Sequence, residues 1–118
     1  MLAVSAVMHE FSVQSKHVEL AYRQYTGLDH RCQLISNRFG ASWINDSKAT
    51  NVGATLAALS GLSDGSGKLV LIAGGVGKEA DFSPLAAVIN QQVDELITFG
   101  QDGHLIAALK SSSHQVAD

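Results

Sequence analysis

Trp43-Ile44-Asn45-Asp46-Ser47-Lys48-Ala49-Thr50-Asn51 decides how this chain is read. The stretch opens apolar, as a strand does. It then gathers an acid, two hydroxyls, an ammonium and two amides within residues 45–51. Val52, Leu56 and Leu59 follow at helical spacing. A polar cluster therefore lies where a strand ends and a helix over 52–60 begins, with Thr50 or Asn51 as the N-cap. Helix N-termini carry unpaired N–H groups and a partial positive charge, so they favour anions. In open α/β sheets, ligands bind beyond the carboxyl ends of the strands. The junction is the candidate binding site. Capping explains part of it: one residue caps, Asp46 complements the helix dipole and Lys48 is solvated. The other polar groups keep no structural reason.

Upstream of the junction, Cys32–Ser36 and Ala41–Asn45 read as two strands. Asn37-Arg38-Phe39-Gly40 carries turn residues and joins them as a hairpin. Earlier still, residues 1–9 suit a short helix. A second helix runs from Ser15 to Tyr25 with Val18, Tyr22 and Tyr25 as its apolar stripe, Ser12 as a candidate cap and Gly27 closing it. This helical segment is too small to bury its own apolar surface.

Downstream, Ser60–Gly67 is a loop of glycine, serine and aspartate. Lys68–Ala73 is a continuous apolar run, the pattern of a central parallel strand buried on both faces. Gly74–Asp81 is a glycine-rich loop carrying Lys78. Ser83 and Pro84 mark a helix start, as N-cap and first helical residue, with Leu85, Val88 and Ile89 as its buried stripe. Glu95–Phe99 is a further strand. Gly100-Gln101-Asp102-Gly103 turns into a helix carrying Leu105, Ile106 and Leu109, and the polar tail from Ser111 reads as loose. The pattern predicts an α/β fold: a Rossmann-like open, mainly parallel sheet with right-handed crossovers and flanking helices, preceded by a short helical segment.

The chain has 118 residues, 46% hydrophobic and 16% charged, which suits one small globular domain with a real core. A net charge of −3 argues against a general polyanion surface, hence against nucleic acid as a partner. A single cysteine, Cys32, allows no internal disulfide and fits the reducing cytoplasm. With no motif around it, Cys32 reads as a small apolar strand residue. No apolar run approaches the roughly 20 residues that span a bilayer, and the N-terminus lacks a signal-peptide pattern, so no membrane is expected. His9, His17, His104 and His114 show no ligand spacing, and no metal site is expected. Trp43 reads as core, or as packed beneath the junction.

Gly75-Val76-Gly77-Lys78-Glu79-Ala80 matches the dinucleotide pattern G-x-G-x-x-G/A after a strand, with Asp102 as a candidate ribose acid. Against it, a dinucleotide turn runs straight into its helix, whereas Ser83-Pro84 starts the helix several residues later. A Walker A pattern fails, since Ile72 stands for its first glycine and Glu79 for its Ser/Thr. Lys78 extends from the carboxyl side of a strand, the edge that Lys48 also occupies, which makes a shared anion site.

The run from Trp43 to Thr55 closely resembles the start of the C-terminal domain of the Mur ligases, in the form of the branch that adds D-glutamate. Gly27-Leu28-Asp29-His30-Arg31 resembles the family's Gly-Leu-Pro-His-Arg hinge, with Asp29 in place of the proline. Gly74–Phe82 resembles its Gly-Gly-x-x-Lys-x-x-Asp-Phe loop, and Phe99-Gly100-Gln101-Asp102-Gly103 its Phe-Gly-x-x-Gly turn. The resemblance implies an ATP-dependent amide ligase of peptidoglycan synthesis that joins D-glutamate to UDP-N-acetylmuramoyl-L-alanine through an acyl phosphate. It implies ATP and Mg2+ in the complete enzyme. By resemblance, His30 and Arg31 reach the nucleotide and Asp46 its ribose. Lys48 is the catalytic residue, facing the reacting phosphates or the glutamate carboxylates, and Thr50 and Lys78 hold the glutamate. A dianionic amino acid and a transferred phosphoryl group both call for such ammonium and hydroxyl donors.

The resemblance also implies a division of the chain. Residues 1–27 correspond to the end of the central, ATP-binding domain, and 28–118 to a C-terminal domain incomplete at its own C-terminus. The family's P-loop, metal ligands, modified lysine, UDP-sugar domain and Ser-Pro-Ala-Cys-Ala segment have no counterpart in these residues. The chain alone is therefore expected to bind neither ATP nor D-glutamate tightly and to be inactive without the other domains. Two other classes compete: a non-catalytic nucleotide-binding module using the glycine loop, and a dimerisation unit using exposed apolar faces.

Overall fold

A computed structural model of the chain describes residues 2–63, 67–111 and 113–116. Helices α1 (Leu2–Glu10) and α2 (Ser15–Gln24) come first. They meet where Ser5 Oγ lies 2.6 Å from the Tyr22 hydroxyl. No residue of α2 is buried, and of its expected stripe Val18 and Tyr22 are half-buried while Tyr25 lies beyond the helix end, exposed. Gln14, not Ser12, occupies the N-cap and makes no side-chain cap bond.

Strands β1 (Gln33–Arg38) and β2 (Ala41–Asn45) form an antiparallel hairpin. Phe39 and Gly40 turn it, at φ 58° and 74°. A pair of left-handed residues matches the twist of the two strands. A bulge between Leu34 and Ser36 shifts the register. Two expectations fail here. Cys32 lies outside the strand, exposed and left-handed at φ 43°, because its N–H turns toward Asp46. Trp43 is 45% exposed opposite Ser36, since no other described element covers that hairpin face.

Helix α3 (Val52–Leu62) leads toward β3 (Val70–Gly74), α4 (Leu85–Gln92), β4 (Glu95–Phe99), α5 (Gly103–Ala107) and β5 (Ser113–Gln115). Strands β3, β4 and β5 pair in parallel in that order. The alternation expected from the sequence holds for this part, and β5 corrects the reading of the tail as loose. The central strand is β4, not β3: Leu96 and Thr98 are fully buried, whereas Val70 and Ile72 on β3 are about half exposed. Among the described residues β3 pairs only with β4, because β1 and β2 form their own two-stranded sheet.

The core is Leu59 from α3, Leu85 and Ile89 from α4, Val93, Leu96 from β4 and Ile106 from α5. Val52, Leu56, Val88 and Leu109 pack around it. Leu105, expected on the same face, is 46% exposed. Polar ties close the layer: Asn90 Nδ2 donates to the carbonyls of Ala86 and Leu109, and Lys110 Nζ to that of Val93. Among the described residues no helix is long and apolar enough to cross a membrane.

Candidate functional site

Asparagine and aspartate at a strand end bond readily to backbone N–H groups nearby. Residues 45–51 use that chemistry throughout. Asn45 Oδ1 accepts from the Ser47 N–H at 3.0 Å, and its amide nitrogen lies 2.9 Å from His30 Nδ1. Asp46 Oδ1 accepts from the Cys32 N–H at 3.0 Å. The Lys48 N–H donates to the His30 carbonyl at 3.1 Å, and the Thr50 N–H to the Lys48 carbonyl at 2.9 Å. Asn51 caps α3, its Oδ1 accepting from the Ala54 N–H at 2.9 Å. Of the two candidate caps, Asn51 takes the role. Asp46 does not serve the helix dipole, because its carboxylate is turned to Cys32.

The segment before β1 is bound into the same cluster. The His30 N–H donates to Gln33 Oε1 at 3.0 Å, and Gln33 Nε2 to Asp29 Oδ1 at 2.9 Å. The Arg31 N–H donates to the Leu28 carbonyl, and the Arg31 side chain is exposed. His30 stands at φ 64° and Cys32 at φ 43°. Such left-handed non-glycine residues cost on the order of 1 kcal/mol or more and persist where surrounding bonds hold them. The structure thus brings His30, Arg31, Asp46, Lys48 and Thr50 together, with the exposed side chains of His30, Arg31, Lys48 and Thr50 open to a ligand.

Lys78 belongs to a second group. The glycine loop returns beside β4, where the Gly75 N–H donates to the Phe99 carbonyl and the Asp102 N–H to the Gly75 carbonyl, at 3.1 and 3.0 Å. The backbones approach so closely that a Cβ on Gly74 would lie 2.0 Å from the Phe99 carbonyl oxygen. Asp102 Oδ2 accepts from the Gly77 N–H at 2.6 Å. One of its carboxylate oxygens therefore braces the loop, which counts against Asp102 as a ribose acid. Lys78 and Glu79 follow at φ 52° and 61°. A cavity of about 370 Å³ lies beside them, lined by Lys78, Glu79, Phe82, Gln101, Asp102 and Leu105 among others. It includes no residue of 43–51. The shared strand edge expected for Lys48 and Lys78 is absent, because β2 is not a strand of the parallel sheet.

Ser83 corrects another expectation. Pro84 holds the N-cap position of α4 without a side-chain bond. The Ser83 hydroxyl and N–H both donate to Asp81, at 2.8 and 2.9 Å. These bonds, the backbone one first, hold the Asp81 carboxyl below its ordinary value of 3.8. Partial burial of the Cys32 thiol, then the neighbouring Asp46 charge, push it above the ordinary 9.0, so it is a poor nucleophile at neutral pH.

Among the described residues no group of three or more His, Cys, Asp and Glu side chains is placed to hold a metal ion. Sequence reasoning missed three working side chains: Gln33, Asn45 and Asp102 in its bracing role. Asn45 was within reach, since its bond to Ser47 spans two residues. The bond from Gly77 to Asp102 spans 25 residues and left no local signal.

The family profile described as Mur ligase, glutamate ligase domain, matches residues 30–117. Among curated relatives, the UDP-N-acetylmuramoylalanine–D-glutamate ligase of Shewanella oneidensis is 49% identical over 116 residues, covering 98% of this chain and 26% of the relative. The ligase of the same name from Colwellia psychrerythraea is 56% identical over 95 residues, covering 78% and 20%. That from Haemophilus influenzae strain PittEE is 50% identical over 113 residues, covering 96% and 26%. The chain spans about a quarter of the length of the curated relatives that match nearly all of it.

Proposed function

The chain belongs to the Mur ligase family, and we propose that it supplies one wall of the active site of a D-glutamate-adding ligase. In this reading a complete enzyme phosphorylates the carboxylate of UDP-N-acetylmuramoyl-L-alanine with ATP. The amine of D-glutamate then attacks the acyl phosphate, forming the amide of a peptidoglycan precursor and releasing phosphate. The reaction belongs in the cytoplasm, where the nucleotide and the UDP-linked substrate are available.

The observation that supports this most directly is the binding of the 45–51 junction to the His30 segment. The Lys48 N–H on the His30 carbonyl, at 3.1 Å, ties the two halves of the polar cluster together. Residues 1–27 are assigned to the end of the ATP-binding domain and 28–118 to the glutamate ligase domain. His30 and Arg31 then face the nucleotide near the joint between the two. Asp46 accepts from the ribose hydroxyls. Lys48 neutralises charge on the transferred phosphoryl group or on the glutamate, the kind of interaction that lowers a barrier most when it is held in place beforehand. Thr50 and Lys78 donate to the glutamate carboxylates.

A phosphate-release assay tests the reading. A complete ligase carrying this chain releases phosphate from ATP only with both D-glutamate and the muramoyl substrate present. The 118 residues alone release none, for want of the nucleotide-binding and UDP-sugar domains. Release by the isolated chain, or release from the complete protein that ignores D-glutamate, contradicts it.

A further inference from the structure

The glycine loop holds Lys78 in a conformation that its own sequence does not favour. Lys78 and Glu79 are consecutive non-glycine residues at φ 52° and 61°. Residues of that kind stay left-handed only where neighbouring structure holds them. They are the central pair of a turn closed by the Ala80 N–H on the Gly77 carbonyl at 3.0 Å, and at the base of that turn the Gly77 N–H donates to Asp102 Oδ2, 2.6 Å long and partly buried. A carboxylate acceptor makes such a bond stronger than a neutral one. The Asp102 N–H also donates to the Gly75 carbonyl. Asp102 thus holds the loop on both sides of Val76, and it lies directly before α5. A Cβ on Gly77 would lie 2.6 Å from the Phe82 ring, so a larger residue at the anchor would have to displace that ring.

We propose that Asp102 is a positioning residue for Lys78: through the Gly77 N–H it fixes the loop from which the ammonium reaches its ligand. The inference rests on the reading of Lys78 as a glutamate-holding residue. In this proposal Asp102 acts through the loop, since its Oδ2 is engaged by the Gly77 N–H. Its loss is then expected to act on D-glutamate binding through Lys78.

Three variants of the complete ligase test this, with KM for D-glutamate and kcat read separately. Lys78→Ala raises KM for D-glutamate; if it does not, the reading of Lys78 fails and the inference falls with it. Given that effect, Asp102→Ala raises the same KM about tenfold while kcat changes less. Asp102→Asn, which keeps an acceptor oxygen, recovers most of that loss. In the double variant Asp102→Ala/Lys78→Ala the KM is that of Lys78→Ala alone, the mark of two residues acting as one. An unchanged KM in Asp102→Ala, or losses that multiply in the double variant, overturns the proposal with the reading of Lys78 intact. Amide exchange in the 118-residue chain supplies a second measurement. Asp102→Ala speeds exchange at Gly77 about tenfold or more and leaves Leu96 in β4 unchanged. Unaltered exchange at Gly77, or faster exchange at Leu96 too, overturns it.

Discussion

Asn51 shows how much one side chain settles at the junction. Its carbonyl oxygen satisfies the Ala54 N–H at 2.9 Å and starts α3. Asn51→Ala is expected to cost about 1 kcal/mol, read as a lower urea midpoint at unchanged slope. Asp81 gives a pH signature. Its folded pKa lies below the ordinary 3.8, so the stability it adds is complete above that value and is lost as the pH falls through the folded pKa. Ser83→Ala removes the lesser of the two bonds, so the Asp81 midpoint in a carboxyl NMR titration should rise only part of the way to 3.8. At this scale the sequence was legible where a bond is local. The cap was narrowed to Thr50 or Asn51 because a cap bonds within its own first turn. The partner of Asp46 was not, because Cys32 lies 14 residues away across the hairpin.

Elements were legible where one period ran unbroken. The strand Glu95–Phe99 was bounded correctly from its apolar run, and the stripe Leu85, Val88, Ile89 does face the core. Strand β5 escaped notice because Ser113-His114-Gln115 has no apolar side chain, and only pairing with β4 makes it a strand. Strand β3 has the composition of a central strand but, among the described residues, an unpaired edge, since a composition records the burial a strand can accept and not its neighbours. Its last residue makes the sharpest test of the sheet. Gly74→Ala would set a methyl group 2.0 Å from the Phe99 carbonyl oxygen, against backbone that cannot yield as a side chain can. It is expected to destabilise by about 3 kcal/mol or more in chemical denaturation. Ala73→Gly, one position earlier in the strand, should cost only about 1 kcal/mol or so.

The whole molecule is two regions of unequal burial. Its radius of gyration, 17.5 Å, exceeds the roughly 13–14 Å of a compact domain this long. The core lies between Leu59 and Ile106, whereas among the described residues α1, α2 and the hairpin contribute none that is buried. Trypsin is therefore expected to cut after Lys16, Arg23 and Arg31 well before Lys110, which is half-buried and bonded to the Val93 carbonyl. Mass spectrometry of the early fragments checks the order. The candidate site straddles the same division. Most of its residue types were readable as an anion-facing junction, but the separation of Lys48 from Lys78 was not, because it depends on which sheet β2 joins. Lys48 carries the central claim, that the polar junction faces the reacting phosphates and glutamate. In a complete ligase carrying this chain, Lys48→Ala should lower D-glutamate-dependent phosphate release by about a hundredfold or more while the thermal unfolding curve stays where it was. Release within about threefold of the parent enzyme, a loss of less than 1 kcal/mol in barrier, would contradict that claim.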